Sequence, residues 1–185
     1  FSPELFFALR DGRVTARPMK GTAIRSADPA ADRALAEELR TDPKQRAENL
    51  MIVDLLRNDL SRVAKQASVE VPQLFAVESY PTVHQMTSTV TAELDAGRDA
   101  VDLLRSIYPC GSITGAPKIR AMEIIDEVEA GPRGIYCGSI GRIDANGDAA
   151  FNVAIRTFHL NDAAKQASLG LGSGIVADSE AAPEW

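Results

Sequence analysis

Leu5-Phe6-Phe7-Ala8-Leu9-Arg10-Asp11-Gly12-Arg13-Val14-Thr15-Ala16-Arg17 sets the class of fold. Two strand-like runs meet at Asp11-Gly12, where the glycine accepts the backbone conformation of a tight turn, so the stretch reads as a β-hairpin. The pattern then changes. Asp28-Pro29 opens an Ala/Leu/Glu-rich helix to about Arg40, and Thr41-Asp42-Pro43 caps a second helix to about Val63, with proline tolerated in the first turn. Residues 100–107 and 117–128 are predicted as two further helices. Residues 135–143, 150–160 and 168–176 read as strands, the first two joined through Asp144-Ala145-Asn146-Gly147-Asp148, another hairpin signal. Antiparallel pairing follows from such short connections. The chain is therefore predicted to be α+β, with antiparallel β-sheets flanked by helices, in a single domain over residues 1–185. Asp95-Ala96-Gly97-Arg98 reads as a turn rather than a linker, and the sequence contains no repeat.

Composition narrows the function classes. A hydrophobic content of 45% and a charged content of 25% over 185 residues suit a globular protein with a real core. The formal charge of -6 argues against a nucleic-acid partner, whose phosphates call for a basic surface. Cys110 and Cys137 form neither a disulfide framework nor a metal-ligand cluster, which points to a reducing, cytoplasmic setting with free thiols. No apolar run approaches a membrane span. The chain opens at Phe1 inside a strand pattern and closes at Trp185 after an acidic segment, so it is expected to be part of a larger protein, cut at both ends.

Several residues invite a chemical reading. Lys20, between strand-like Val14-Thr15-Ala16 and a glycine, is a solvated lysine or, if desolvated, an amine that loses its proton near neutral pH and attacks carbon. Glu48 falls on the apolar stripe of Ile52, Leu55, Leu56, Leu60 and Val63. It is a first-turn surface glutamate suited to the helix dipole, or an inward carboxylate that needs a cation. Asp54, Arg57, Asn58 and Asp59 read as solvated or capping groups. Gly111-Ser112-Ile113-Thr114-Gly115-Ala116-Pro117-Lys118 is no P-loop, because only three residues separate the glycines and proline precedes the lysine. It is a capped turn, or a glycine loop opening a helix whose N-terminus suits a carboxylate. Arg156 is predicted in mid-strand on the face of Asn152 and Ala154, either solvated or offering a planar fork to a carboxylate. Gly170-Leu171-Gly172-Ser173-Gly174 makes a poor strand unless something must approach closely. Tyr136 and His84 read as packing or site residues.

Taken in order, Ser2-Pro3-Glu4, Pro18-Met19-Lys20-Gly21-Thr22, Glu48 with residues 51–60, Ser79-Tyr80-Pro81-Thr82-Val83-His84, residues 111–122, Tyr136-Cys137-Gly138, Ile155-Arg156 and residues 172–179 resemble the successive motifs of the chorismate-utilising enzymes. That family includes anthranilate, isochorismate, salicylate and aminodeoxychorismate synthases, and the resemblance runs from end to end. Its fold implies the C-terminal part of a two-sheet sandwich. The position of Lys20 is typically alanine in anthranilate synthases and lysine in aminodeoxychorismate synthases, so the chain looks like the latter. Met19 stands where isoleucine is usual, a volume-conserving change.

The resemblance implies a mechanism. Lys20 attacks C2 of chorismate while Glu4, as general acid, protonates the departing C4 hydroxyl; ammonia then attacks C4 and expels the lysine. Mg2+ is implied at the ring carboxylate, with Glu48 and Glu184 as ligands. Gly21, Thr22, His84, Thr114, Gly115, Tyr136, Arg156, Gly172, Ser173 and Gly174 are implied to bind substrate, Thr114 and His84 beside the ring. Ammonia is expected from a glutamine amidotransferase, separate or fused, and the product is expected to pass to a lyase for 4-aminobenzoate and folate synthesis. Family members continue past Trp185 with a further acidic ligand and have an N-terminal half, so this piece alone is expected to be weakly active or inactive. The alternatives are an anthranilate synthase and a noncatalytic binding module.

Overall fold

The computed structural model describes residues 2, 4–175, 179, 180 and 182. Strands β1 (Leu5–Arg10) and β2 (Arg13–Arg17) form the expected hairpin, and β3 (Met19–Ile24) follows across Pro18. Helices α1 (Pro29–Thr41) and α2 (Pro43–Ser61) come next, then strands β4 (Glu70–Ser79) and β5 (Val83–Glu93). Helix α3 (Ala100–Ile107), a 3-10 turn at Gly111–Ile113 and helix α4 (Lys118–Val128) lead to β6 (Gly138–Ile143) and β7 (Ala149–Ala154). A separate two-stranded ribbon, β8 (Phe158–Asn161) with β9 (Gln166–Leu169), comes last.

The helix starts are set by local chemistry. Asp28 accepts hydrogen bonds from the amides of Ala30 and Ala31, and Asp42 accepts one from Gln45, in each case with proline at the first helical position. Asp99 and Asp102 cap α3 reciprocally.

The main sheet has seven strands, all pairs antiparallel. Strands β2 and β3 run one after the other along one edge of β5, with the Pro18 carbonyl accepting from Ser88 between them, and β4 takes the other edge. Strand β1 pairs with β2 on one side and with β7 on the other, and β6 closes the far end. Phe6, Phe7, Val14, Val90 and Val153 pack against Ile52, Leu56 and Leu60 of α2 and Leu103 and Ile107 of α3. The rings of Phe7 and Phe151 stack at 5.1 Å. Helix α4 buries no residue among those described.

Three expectations need correction. Residues 150–160 are not one strand: β7 ends at Ala154, Arg156 takes a positive φ of 50°, and a new ribbon begins at Phe158. The strand expected at 135–143 starts only at Gly138, after a turn closed by the Gly138 amide on the Ile135 carbonyl, and the one expected at 168–176 ends at Leu169. Its final residue, Val176, lies outside the described residues.

Candidate active site

Glu4 sits just before β1, where β1 meets the β2–β3 break and the end of β7, and its carbonyl accepts from Val153 at 3.1 Å. Its side chain is only 5% exposed. Burial pushes the carboxyl pKa up, because the charged form loses its water; the influence of Ser112, the charges of Lys20 and Arg156 and the backbone at Met19 pull the other way. Three distant stretches of chain thus act on one buried acid. Lys20 reaches it from β3, Ser112 from the 3-10 turn, and Arg156 from just past β7. Arg156 is exposed and lies beyond the strand end rather than in mid-strand.

Lys20 is presented by a distorted strand. The β3–β5 register shifts between Met19 and Thr22, and Gly21 has φ of 90°, a left-handed conformation that favours glycine. A Cβ there would lie 3.1 Å from both Leu39 Cδ1 and Gln45 Oε1, so the glycine also lets β3 lie close to α1 and α2. Gln85 fixes the bulge: its Nε2 donates to the Gly21 carbonyl at 2.6 Å, and its Oε1 accepts from the Thr22 hydroxyl at 2.9 Å. Gln85 was not anticipated; its pairing opposite Thr22 was hidden with β5 itself.

His84, next to it on β5, is buried at 2% exposure on the opposite face. Its Nδ1 lies 2.9 Å from Ser79 Oγ, and its Nε2 lies 3.0 Å from Asp32 Oδ1 on α1. Asp32 is also held by Arg25 through two guanidinium nitrogens. Both ring nitrogens of His84 therefore serve a network that ties α1 to β4 and β5, and the structure does not bring them to Glu4.

The loop over residues 108–117 forms the other wall. The Thr114 hydroxyl donates to the Cys110 carbonyl at 3.1 Å, and Cys110 Sγ and Ser112 Oγ are 3.2 Å apart. Burial, with the Glu4 charge second, pushes the Cys110 thiol up to about 11, so it is an inert neighbour rather than a nucleophile. Gly115 lies in this loop, two residues before Pro117, the N-cap of α4. Asp59 is not solvated: it is 3% exposed and paired with Lys118, whose ammonium also donates to the Ile107 carbonyl at 2.9 Å.

Tyr136 and the glycine run meet as expected of a close approach. A Cβ on Gly170 would lie 2.3 Å from Tyr136 Cγ, and one on Gly172 would lie 2.7 Å from Tyr136 Oη. This group joins the Glu4 cluster through β7, where the Cys137 amide donates to the Ala154 carbonyl at 3.0 Å, two residues before Arg156. Arg133 adds a second link, donating to the Ile113 carbonyl at 3.0 Å. Ser173 and Gly174 follow in exposed chain.

Glu48 is half-buried on α2, beside the buried Asn49, Ile52 and Val53 rather than among them. It offers one carboxylate to a hard cation. Among the described residues no three His, Cys, Asp or Glu side chains group as metal ligands, and Glu184 lies outside the described residues. Glu48 therefore fits as a single ligand, short of the several oxygens that Mg2+ needs.

Comparison with known proteins bears on this geometry. The family described as chorismate binding enzyme matches residues 1–185. Aminodeoxychorismate synthase component 1 of Klebsiella aerogenes is 54% identical over 186 residues, covering 100% of this chain and 40% of that protein. Anthranilate synthase component 1 of Aquifex aeolicus is 45% identical over 184 residues, covering 100% of this chain and 37% of that protein. The crystal structure of anthranilate synthase component I from Streptococcus pneumoniae TIGR4 superposes with a TM-score of 0.89 at 40% identity, over 99% of this chain and 40% of that one. The chain thus spans about 40% of the length of the first of these relatives. Among the described residues no helix is long and apolar enough to cross a membrane.

Proposed function

The chain belongs to the chorismate binding enzymes, and from that premise we propose that it carries the chorismate-aminating chemistry of an aminodeoxychorismate synthase. The observation that carries the reading is the buried carboxyl of Glu4 facing the amine-bearing strand of Lys20. A carboxyl held toward its neutral form by burial can give a proton to a leaving hydroxyl. A lysine across from it can supply the nucleophile. In this scheme the neutral Lys20 amine bonds to C2 of chorismate, both ring double bonds shift by one position, the C4 hydroxyl leaves as water with the Glu4 proton, and the new lysine ammonium returns a proton to Glu4. Ammonia then bonds to C4, both double bonds shift back and the C2–nitrogen bond breaks, a proton of the new ammonium passing to the departing lysine nitrogen. The product is 4-amino-4-deoxychorismate, with Lys20 regenerated.

Other parts of the site take binding roles. Arg156, Tyr136 and the backbone at residues 172–174 suit the substrate carboxylates, and Gly21, Thr22, Thr114 and Gly115 shape the walls on either side of Glu4 and Lys20. Mg2+, held in part by Glu48 and Glu184, would offset the charge of the ring carboxylate. The described residues supply one ligand, and no step is routed through the ion. Ammonia would come from a glutamine amidotransferase, and a lyase acting on the product would lead toward 4-aminobenzoate and folate.

Anthranilate synthases at 45% and 47% identity favour a second reading, amination at C2. That reaction has no use for a nucleophilic lysine. The test supplies the full natural chain with chorismate, Mg2+ and an ammonium salt at alkaline pH and identifies the product by mass. Aminodeoxychorismate that disappears in Lys20→Ala supports the scheme. Anthranilate, or unchanged C4 amination in Lys20→Ala, rejects it.

A further inference from the structure

Arg133 divides its guanidinium between two partners. Its Nε and Nη2 donate to the two carboxylate oxygens of Glu129, at 2.9 and 2.6 Å, and its Nη1 donates to the carbonyl of Ile113 at 3.0 Å. Glu129 stands at the C-cap of α4, where its amide closes on the Ile125 carbonyl. A grip on both carboxylate oxygens fixes the plane of the fork, so the remaining nitrogen has one direction in which to point. It points to the last residue of the 3-10 turn at Gly111–Ile113, just before Thr114 and Gly115. The side chains of Arg133 and Glu129 are 24% and 35% exposed, and a pair so open to water adds little stability of its own. What it supplies is a bond between two walls. The Arg133 carbonyl accepts from the Tyr136 amide at 3.2 Å, the Cys137 amide is tied to Ala154 of β7, and Tyr136 lies against Gly170 and Gly172. On the opposite side, Leu55 of α2 backs Gly111, its Cδ1 3.0 Å from where a Cβ would stand. The loop of Thr114 and the turn of Tyr136 are thus joined through one residue, by its side chain at one end and its backbone at the other.

We infer that Arg133, aimed by Glu129, is a positioning residue that sets the gap between the Thr114–Gly115 wall and the Tyr136 wall of the site. The inference rests on the reading of those residues as substrate contacts. Its physical content is separable, since the bond from Arg133 to Ile113 either steadies the loop or does not, whatever the chain aminates. A residue needed only for folding would lower the amount of working enzyme, and so kcat, with KM unchanged. One that holds binding groups at their spacing acts on KM.

The experiment uses the full natural chain with Arg133→Ala, Arg133→Lys and Glu129→Gln, and it has two readouts. Steady-state kinetics give kcat and the KM for chorismate. Hydrogen exchange follows the amides of Ile113 and Thr114, which donate to the Cys110 and Gly111 carbonyls, with the Leu103 amide of α3 as reference. Arg133→Ala should raise KM by about tenfold or more, as expected for the loss of one charge-assisted hydrogen bond, with kcat held within about threefold. Exchange at Ile113 and Thr114 should quicken while Leu103 keeps its rate. Arg133→Lys, which replaces the planar fork by a point charge, should resemble Arg133→Ala, and Glu129→Gln should fall between them and the parent. Methylguanidinium added to Arg133→Ala should bring KM back toward the parent value, and sodium chloride at the same ionic strength should not. Unchanged exchange at Ile113 and Thr114 in Arg133→Ala overturns the inference, as does faster exchange with KM unmoved, or a fall in kcat alone. Should Arg133→Ala not fold, Glu129→Gln carries the same readouts, with smaller changes expected and unchanged exchange again decisive. If the unaltered chain leaves chorismate untouched, the functional reading fails, and the exchange rates still decide whether Arg133 holds the loop.

Discussion

Replacing Gly170 with alanine tests whether the glycine run is shaped around Tyr136. The new Cβ would fall 2.3 Å from Cγ, 2.6 Å from Cδ2 and 2.7 Å from Cβ of Tyr136. Carbons in contact rest about 3.5 to 4.0 Å apart, so the two segments must separate by roughly 1.2 to 1.7 Å. The tyrosine cannot yield by rotation, because the clash is with the root of its ring. Nor can its backbone retreat freely: the amides of Tyr136, Cys137 and Gly138 donate to Arg133, Ala154 and Ile135 carbonyls. The chain at Gly170 has to move, at a cost typical of overpacking, about 1 to 3 kcal/mol. If that cost falls on the bound state, the chorismate KM rises by roughly fivefold to a hundredfold. Gly172→Ala is the built-in control, since its Cβ would meet only the phenolic oxygen, at 2.7 Å, the far end of a side chain that can swing aside. Steady-state kinetics on both variants in the full natural chain decide the matter. The reasoning fails if Gly170→Ala leaves KM within about twofold of the unaltered enzyme, or if Gly172→Ala is the more damaging of the two.

Two further outcomes are expected. Burial holds the folded Glu4 carboxyl above its ordinary 4.5, so the stability of its neutral form is fully present below that pH and is lost as pH rises through the folded value. Glu4→Gln removes this dependence, and urea midpoints taken between about pH 4 and pH 8 should show the variant gaining on the parent as pH rises; parallel curves would contradict the assignment. Phe7 is fully buried and stacks on Phe151, so Phe7→Ala should destabilise by about 3 to 5 kcal/mol in urea unfolding, and a loss below about 1 kcal/mol would show that the β1–β7 seam is not part of the core.

The helices were legible in the sequence because their signals are local. Asp28-Pro29 and Asp42-Pro43 mark starts that the structure reproduces, and residues 100–107 form α3 as expected. Strands β4 and β5 were missed for physical reasons. Strand β4 carries Pro72, a positive φ of 55° at Phe75 and two register shifts, so no alternation survives. Strand β5 buries Met86, Ser88 and Val90 on one face and Thr87 and Thr91 on the other, which erases the contrast that marks a half-buried strand. The convergence of Glu4 with Lys20 and Arg156 was legible only through motif resemblance, since no spacing rule joins residues brought together by a seven-stranded sheet. Asp59 was read as solvated because its partner, Lys118, lies on another helix. The role of Gln85 depended on a strand that the pattern did not reveal.

The place of β1 has a consequence for how the chain acquires its chemistry. One edge of β1 is matched at once by β2 across a two-residue turn, while the other waits for β7, with Ala8 opposite Ala150. At ordinary translation rates, that partner follows roughly 7 to 30 seconds later. Through this interval Phe6 and Phe7 lie on an open sheet edge, exposed to misassociation. Such long-range pairing is also slow in itself, because loop closure must precede any gain from contact. Arg156 follows directly after β7 and Ser112 emerges well after β1, so the surroundings that bury Glu4 exist only at the end of assembly. A ribosome-bound chain stalled before β7 would thus carry Glu4, Lys20 on β3 and Glu48 on α2 without the environment that turns an ordinary glutamate into an acid.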